Sequence, residues 1–281
     1  MFPHQDPNLP VEERLDDLLL RMTTEEKIMQ TDQYFSGDFT TQDENGKWQA
    51  AFDTQEARDA LQFVKDLRWK YDALLDDTVI DLDKMNQYFG TYQAAMMFNN
   101  PPGKLTQNYG TEIGDIYVTR MPAGPAGRFS QMGGNLYMFT ADATPEQIDA
   151  GLKFLEYWGR GPELTDEQAE SLSLTYKSDH DSGAIVMDRD AFNVWVNEDT
   201  INKKIELRSE YTNVDPADYA DYYAFEDVTI KPEPSVCAQE LYAVLDGCIQ
   251  EVITNENADV DQLITDAAHD FQVNHLDKLE Y

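Results

Sequence analysis

Four histidines, two cysteines and 54 acidic residues are among the groups in this 281-residue chain that could carry acid–base, nucleophilic or metal chemistry. His4, His180, His269 and His275 stand at no spacing that a zinc site or a Ser–His–Asp arrangement needs, and no HExxH pair is present. Asp179-His180-Asp181 puts three metal-ligating side chains in a row, but within the polar turn SDHDSG these read as solvated groups. The stretch GPAGRF lacks the Lys-Ser/Thr that gives a phosphate-cradling glycine loop its meaning. TQDENGKWQ has Asn45-Gly46 but Thr41 where a calcium loop needs an oxygen-rich ligand series, so it reads as a turn. A carboxylate pair for glycoside hydrolysis can be nominated from so many acids, and for that reason the nomination carries no information. The sequence is therefore read as that of a non-enzyme, with no cofactor and no metal expected.

Binding chemistry is better represented. Neutral sugars are held by aromatic faces together with hydrogen bonds from amides, hydroxyls and closely approaching backbone. The chain has 15 Tyr and 4 Trp, several of them next to turn residues. Asn99 and Asn100 end an apolar run. Gly133, Gly134 and Asn135 open another, where absent side chains would let a ligand reach the backbone. Trp158 closes a helix beside Gly159. Each has a plainer role as well: core packing for the aromatics, turn chemistry for the glycines and asparagines. Their common placement at element ends is where sites in α/β folds form.

The elements that would position these residues follow from periodicity and punctuation. Leu15, Leu18, Leu19 and Met22 give an amphipathic helix, and Thr23 with Glu26 a capping box. Ala57, Ala60, Leu61, Val64 and Leu67 define a helix from Thr54 to about Tyr71. Ala94–Phe98 reads as a short buried strand stopped by Asn99-Asn100-Pro101-Pro102, DIYVTRMP (115–122) as a second and GGNLYMFT (133–140) as a third. Thr144, Pro145 and Gln147 open a helix whose face carries Ile148, Leu152 and Leu155 and whose end is Tyr157-Trp158. Residues 165–230 read as largely helical and polar. Leu241, Leu245, Cys248 and Val252 align on one helix, and a final helix covers about 259–276. Cys237 and Cys248 then lie on the same helix, roughly 16 Å apart, beyond disulfide reach. The outcome is an α/β chain, rich in helices that flank a few short strands.

The net charge of −33 disfavours nucleic acid and anionic lipid surfaces as partners. No apolar run approaches the roughly 20 residues needed to cross a bilayer, so no membrane insertion is expected. The start, MFPHQDPNLP, has neither a basic nor an apolar region and does not read as a signal peptide.

From Phe35 onward the chain resembles the extracellular solute-binding proteins of sugar ABC importers, the maltodextrin-type family (family 1). The resembling stretches, in family order, are WQAAFDTQEARDALQFVKDLRWKY, YFGTYQAAMMFNNP, GDIYVTRMPAGPAGRFSQMGGNLYMFT, TPEQIDAGLKFLEYW and the closing helix pair from PEPSVCAQELYAVLDGC to DFQVNHLD. The resemblance implies a periplasmic-binding-protein-like (type II) two-lobe fold, incomplete here. It also implies binding of an oligosaccharide without catalysis, a permease as partner of the complete family member, and a location outside the cytoplasmic membrane, at the cell surface or beyond. Cleft residues carried over by position are Asn99, Asn100, Gly133, Gly134 and Trp158. A complete member has a signal or lipoprotein leader and over a hundred further residues upstream, so the chain is read as truncated to its C-terminal part, residues 35–281.

Residues 1–34 form a separate segment in this reading. Within it, NLPVEERLDDLLLRMTTEEKIMQ is similar to the N-terminus of family 3 glycoside hydrolases. The alternatives to sugar capture are thus a β-glucosidase-like fragment of that family and a non-catalytic interaction protein.

Overall fold

A computed structural model describes residues 39–98, 104–124, 126–131, 137–190, 192–231 and 233–279. The N-terminal helix and capping box expected before Phe39 lie outside the described residues. So do Asn99, Asn100, Gly133 and Gly134. The described chain is helix-rich with a few short strands, a mixed α/β composition. It divides into two compact units: one from the described parts of Met1–Ile80, Met121–Gly134 and Phe225–Tyr281, the other from Asp81–Arg120 and Asn135–Ala224.

The first unit starts with a hairpin, β1 (Thr40–Gln42) and β2 (Trp48–Ala50), paired antiparallel with Thr41 opposite Gln49. Its turn uses Gly46 at φ 78°. The Asp43 carboxylate accepts from the amides of Asn45 and Lys47, and those bonds hold its pKa below the usual carboxylate value. Helix α1 (Gln55–Trp69) follows, with Thr54 as N-cap accepting from the Ala57 amide at 3.2 Å. Ala57 and Leu61 on its expected apolar face are buried.

Two further helices complete the unit's core: α7 (Ala238–Thr254) and α8 (Val260–Asn274); the labels α2 to α6 belong to the second unit. α1 packs on both, and they pack on each other. Leu241, Val252, Phe271 and Leu276 are fully buried there, joined by Phe39, Phe52 and Ile264. Burying side chains of this size contributes about 1.5–3 kcal/mol each. The helix ends are closed by specific donors. Val252 O, one of the last four carbonyls of α7 and so without an intrahelical partner, accepts from Trp69 Nε1 at 2.7 Å. Lys65 Nζ reaches Ala258 O in the α7–α8 connection.

The same unit holds a parallel pair, β3 (Arg128–Gln131) and β4 (Val228–Lys231), in register from Arg128 opposite Val228 to Gln131 opposite Lys231. Parallel strands need a long crossover; here the connection contains the whole block 135–224 of the second unit.

The second unit is built from short helices. They are α2 (Leu82–Gly90), α3 (Leu105–Tyr109), α4 (Pro145–Leu155), α5 (Asp166–Asp181) and α6 (Glu198–Ser209), with a 3₁₀ segment at Pro216–Tyr223. Gly90 is required by packing: a Cβ there would stand 2.6 Å from the Tyr109 ring. Buried residues are Leu105, Ile116, Ala169, Tyr176, Ala184, Val186 and Tyr219, with Thr111.

The helix expectations from Thr54, from Thr144, over Leu241–Val252 and over 259–276 agree with these boundaries, including the Thr144/Gln147 capping box, in which both reciprocal bonds form. The stretch 165–230, expected to be largely helical, is broken between Asp181 and Glu198 and ends in β4. The strand expectations need correction. Ala94–Phe98 is irregular, and Met96 and Phe98 are exposed. Residues 116–122 follow a 3₁₀ turn at Ile113–Asp115 and make no ladder. Tyr137–Thr140 is likewise irregular and exposed, the rest of that expected strand lying outside the described residues. The common cause is that both sheets among the described residues belong to the first unit. An apolar run without a neighbouring strand has nowhere to place its backbone hydrogen bonds in a sheet. A strand forms instead at Arg128–Gln131, between two of the expected ones. The SDHD of the expected turn is the last turn of α5, and only Ser182-Gly183 turns away, with Gly183 at φ 78°.

Candidate functional site

Trp158 is the one sequence-predicted site residue among those described, so the site is built from it. Helix α4 does not end in a simple cap. It widens into a π turn, Glu156–Arg160, closed by Gly159 at φ 75°, a backbone conformation that glycine adopts without penalty. Widened turns free carbonyls that must find other donors. The Gln168 amide supplies them, donating to Glu156 O at 2.7 Å and to Tyr157 O at 3.2 Å. The same side chain accepts from the Thr165 amide and completes the capping box of α5. One glutamine thus ties the end of α4 to the start of α5, and Trp158 sits on the tied turn.

Around the indole three groups converge. Phe154, one turn earlier on α4, lies 6.0 Å away between ring centroids at an interplanar angle of 37°. Tyr137 meets it edge-on at 6.3 Å and 73°. The Arg160 guanidinium stands over the indole at 5.4 Å from its centroid. Arg160 O accepts from Trp195 Nε1 at 2.9 Å, and Pro162 O accepts from the Thr200 hydroxyl at the same distance. These bonds fasten the segment leading into α6 to the π turn. The platform is open: Trp158 is 57% exposed and Phe154 61%. Aromatic rings that cluster at these separations while keeping such exposure present apolar faces with a cation beside them, which suits a ligand with both apolar and hydroxylated surfaces.

Two residues after Tyr137 the chain also touches α4. Phe139 packs against Gly151 of α4 so closely that a Cβ at Gly151 would stand 2.5 Å from the ring. Phe154 was legible as the residue four before Trp158 on one helix face. The approach of Tyr137 and the Gln168 tie carry no local signal.

A second concavity in this unit, about 270 Å³, is lined by Tyr176, Asp179, Asp190, Arg189, Arg208 and Tyr222 among others. Its charges largely answer one another. Arg208 pairs with Asp190 and lies over the Tyr176 ring at 4.8 Å. Burial opposes the Arg208 charge, yet Asp190 and Tyr176 outweigh it and raise the guanidinium pKa. Beside it, burial first and the Asp188 carboxylate second push the Tyr223 phenol up to about 12. Burial likewise raises the thiol pKa of Cys248, which is buried in the first unit's core. Cys237, at the N-cap of α7 in the left-handed region, is also a free thiol.

Asp179, His180 and Asp181 stay on the surface at the end of α5, where Asp181 bonds Lys177 and lies 3.3 Å from His180 Nδ1. Among the described residues no group of three or more His, Cys, Asp or Glu is placed to hold a metal ion. Nor is any helix among them long and apolar enough to cross a membrane. No family model, curated protein or solved structure matches the chain.

Proposed function

We propose that this protein captures a neutral oligosaccharide and does not alter it, acting as the substrate-binding component of an importer of the solute-binding kind. The observation that carries the reading is the exposed platform of Trp158, Phe154 and Tyr137 with the Arg160 guanidinium over the indole. Sugar rings lay their C–H faces on such aromatics, and a guanidinium donates to ring hydroxyls without needing a charged ligand. Two features lend support to a type II binding-protein architecture: the order of the resembling stretches from Phe35 onward, and a chain that passes repeatedly between two compact units. Asn99, Asn100, Gly133 and Gly134 belong to the proposed ligand contacts on the strength of that resemblance, as do the permease partner and the location outside the cytoplasmic membrane.

The test is a titration with malto-, xylo- and fructo-oligosaccharides, read by calorimetry and by tryptophan fluorescence. One series should give saturable binding. Trp158→Ala should weaken it at least ~10-fold, equal to about 1.4 kcal/mol, whereas Tyr157→Ala, outside the ring cluster, should not. Absence of saturable binding up to about 10 mM ligand, weaker than about −3 kcal/mol, rejects the proposal. Turnover of aryl glucosides would move the reading to a glycosidase.

A further inference from the structure

The first unit carries a second surface that the sugar reading does not use. Leu241, Cys248 and Val252 of α7 face the core. Roughly a third of a turn round the helix, Glu240, Ala243 and Gly247 line an open groove between α7 and α8, about 650 Å³, with Asp266, Ala267 and Asp270 of α8 on its other side. Its floor is small and apolar, and its rim is acidic. His275 is the only basic residue among the described residues lining it.

Gly247 is the informative position. It lies inside a 17-residue helix, where glycine costs up to ~1 kcal/mol relative to alanine. Its φ is not positive, and a Cβ added there would meet nothing within 4 Å among the described residues. Neither the backbone conformation nor the packing of the described residues calls for a glycine, and its effect is to deepen the groove. Helices α1, α7 and α8 already pack together, and the groove offers a berth for one more.

We propose that this groove docks a basic amphipathic helix of another protein, its bulky apolar residues over Ala243, Gly247 and Ala267 and its Lys or Arg residues against Glu240, Asp266 and Asp270. Charge complementarity selects this occupant. A second copy of the chain would bring the same acidic rim and a net charge of −33 to the interface, and would be repelled.

The experiment uses the full chain and a fluorescein-labelled 18-residue Lys/Leu peptide with leucines on one helical face, read by anisotropy. Binding is expected, and it should weaken as salt rises. A scrambled peptide of the same composition should bind at least ~10-fold more weakly, which separates docking from general attraction to an acidic protein. Gly247→Trp should weaken the striped peptide at least ~10-fold by filling the groove, while Gly247→Ala leaves it within about twofold. If circular dichroism shows Gly247→Trp to be misfolded, the exposed pair Asp266→Lys and Asp270→Lys decides, with the same ~10-fold loss expected. Equal affinity for both peptides, undiminished binding to the groove variants, or no binding to the wild type overturns the proposal. So does a dimer of the free chain that Gly247→Trp disperses, since that puts a second copy in the groove.

Discussion

Gln272 offers the sharpest test of how the first unit is held together. Its side chain behaves like one more strand residue on the outer edge of the hairpin. Oε1 accepts from the Ala50 amide at 2.8 Å, and Nε2 donates to Trp48 O at 3.2 Å and to Asp277 Oδ1 at 2.7 Å. Removing it in Gln272→Ala deletes two bonds to β2, worth about 1 kcal/mol each net, and leaves a half-buried N–H unpaired, so a loss of about 2–3 kcal/mol is expected. Gln272→Glu is more informative. The introduced carboxylate still accepts from Ala50 but can no longer donate, and it faces the Trp48 carbonyl and the Asp277 carboxylate. Its folded pKa is therefore raised above the ~4.3 of an unfolded chain. For a raised pKa, stability is fully present below the unfolded value and is lost as pH climbs through the folded one. The variant should thus trail the wild type by about 2 kcal/mol at pH 7 and by less than about 1 kcal/mol near pH 4, where its carboxyl can donate again. Urea unfolding in a Trp158→Phe/Trp195→Phe background reads the first unit alone, because the remaining tryptophans, Trp48 and Trp69, both lie in it. An equal deficit at both pH values, or a Gln272→Ala cost below about 0.5 kcal/mol, refutes the edge-completion argument.

Gly151→Val should expel Phe139 from its seat on α4, take Tyr137 away from Trp158 and weaken oligosaccharide binding several-fold while far-UV circular dichroism is unchanged; full retention of affinity would show that Tyr137 is no part of the platform. The Tyr223 phenol, pushed up to about 12, favours the folded state below the ordinary tyrosine value near 10, and that contribution disappears as pH rises through 12. The ultraviolet difference between wild type and Tyr223→Phe should therefore show one phenol titrating last, and a difference that titrates near pH 10 contradicts the burial described. With Trp48 and Trp69 replaced by Phe, the signal of Trp158 and Trp195 should report an earlier urea midpoint than the converse background, since fewer large side chains are buried in the second unit; coincident midpoints would show one cooperative block.

What was readable in the sequence, and what was not, follows the range of the interactions involved. Helix starts are local: Thr54, Thr144 and the alternation of Leu241, Cys248 and Val252 declare themselves within a few residues, and the structure agrees. Strands are not local. Ala94–Phe98 has the composition of a buried strand, but its fate depends on whether another strand lies beside it, and none does among the described residues of its unit. Arg128–Gln131 looks unpromising alone and becomes a strand because Val228–Lys231 lies alongside. Trp158 is singled out in the sequence by its place at a helix end, and Phe154 lies four residues before it on the same helix. Tyr137, Gln168 and Trp195 reach the site from 21, 10 and 37 residues away in sequence, and no periodicity reports that.

The two units also differ in what holds them, and the difference bears on where a ligand would act. In the first, Phe271, Leu241 and Leu276 are sealed among three helices, and side chains such as Thr54 and Trp69 finish its helix ends. In the second, α4 and α6 contain no buried residue at all. Their positions rest on side-chain ties: Gln168 on the π turn, Trp195 on Arg160, and Arg208 between Asp190 and Tyr176. Each such tie is worth about 1 kcal/mol net, against the several that a core side chain supplies. A platform assembled this way spans separate segments, 137–139, 154–160 and the start of α6, that have little else in common. A ligand lying across those rings would add contacts between segments where the chain itself supplies few, so binding should stabilise the second unit by RT ln(1 + [L]/Kd), an increment that keeps growing as free ligand rises above Kd.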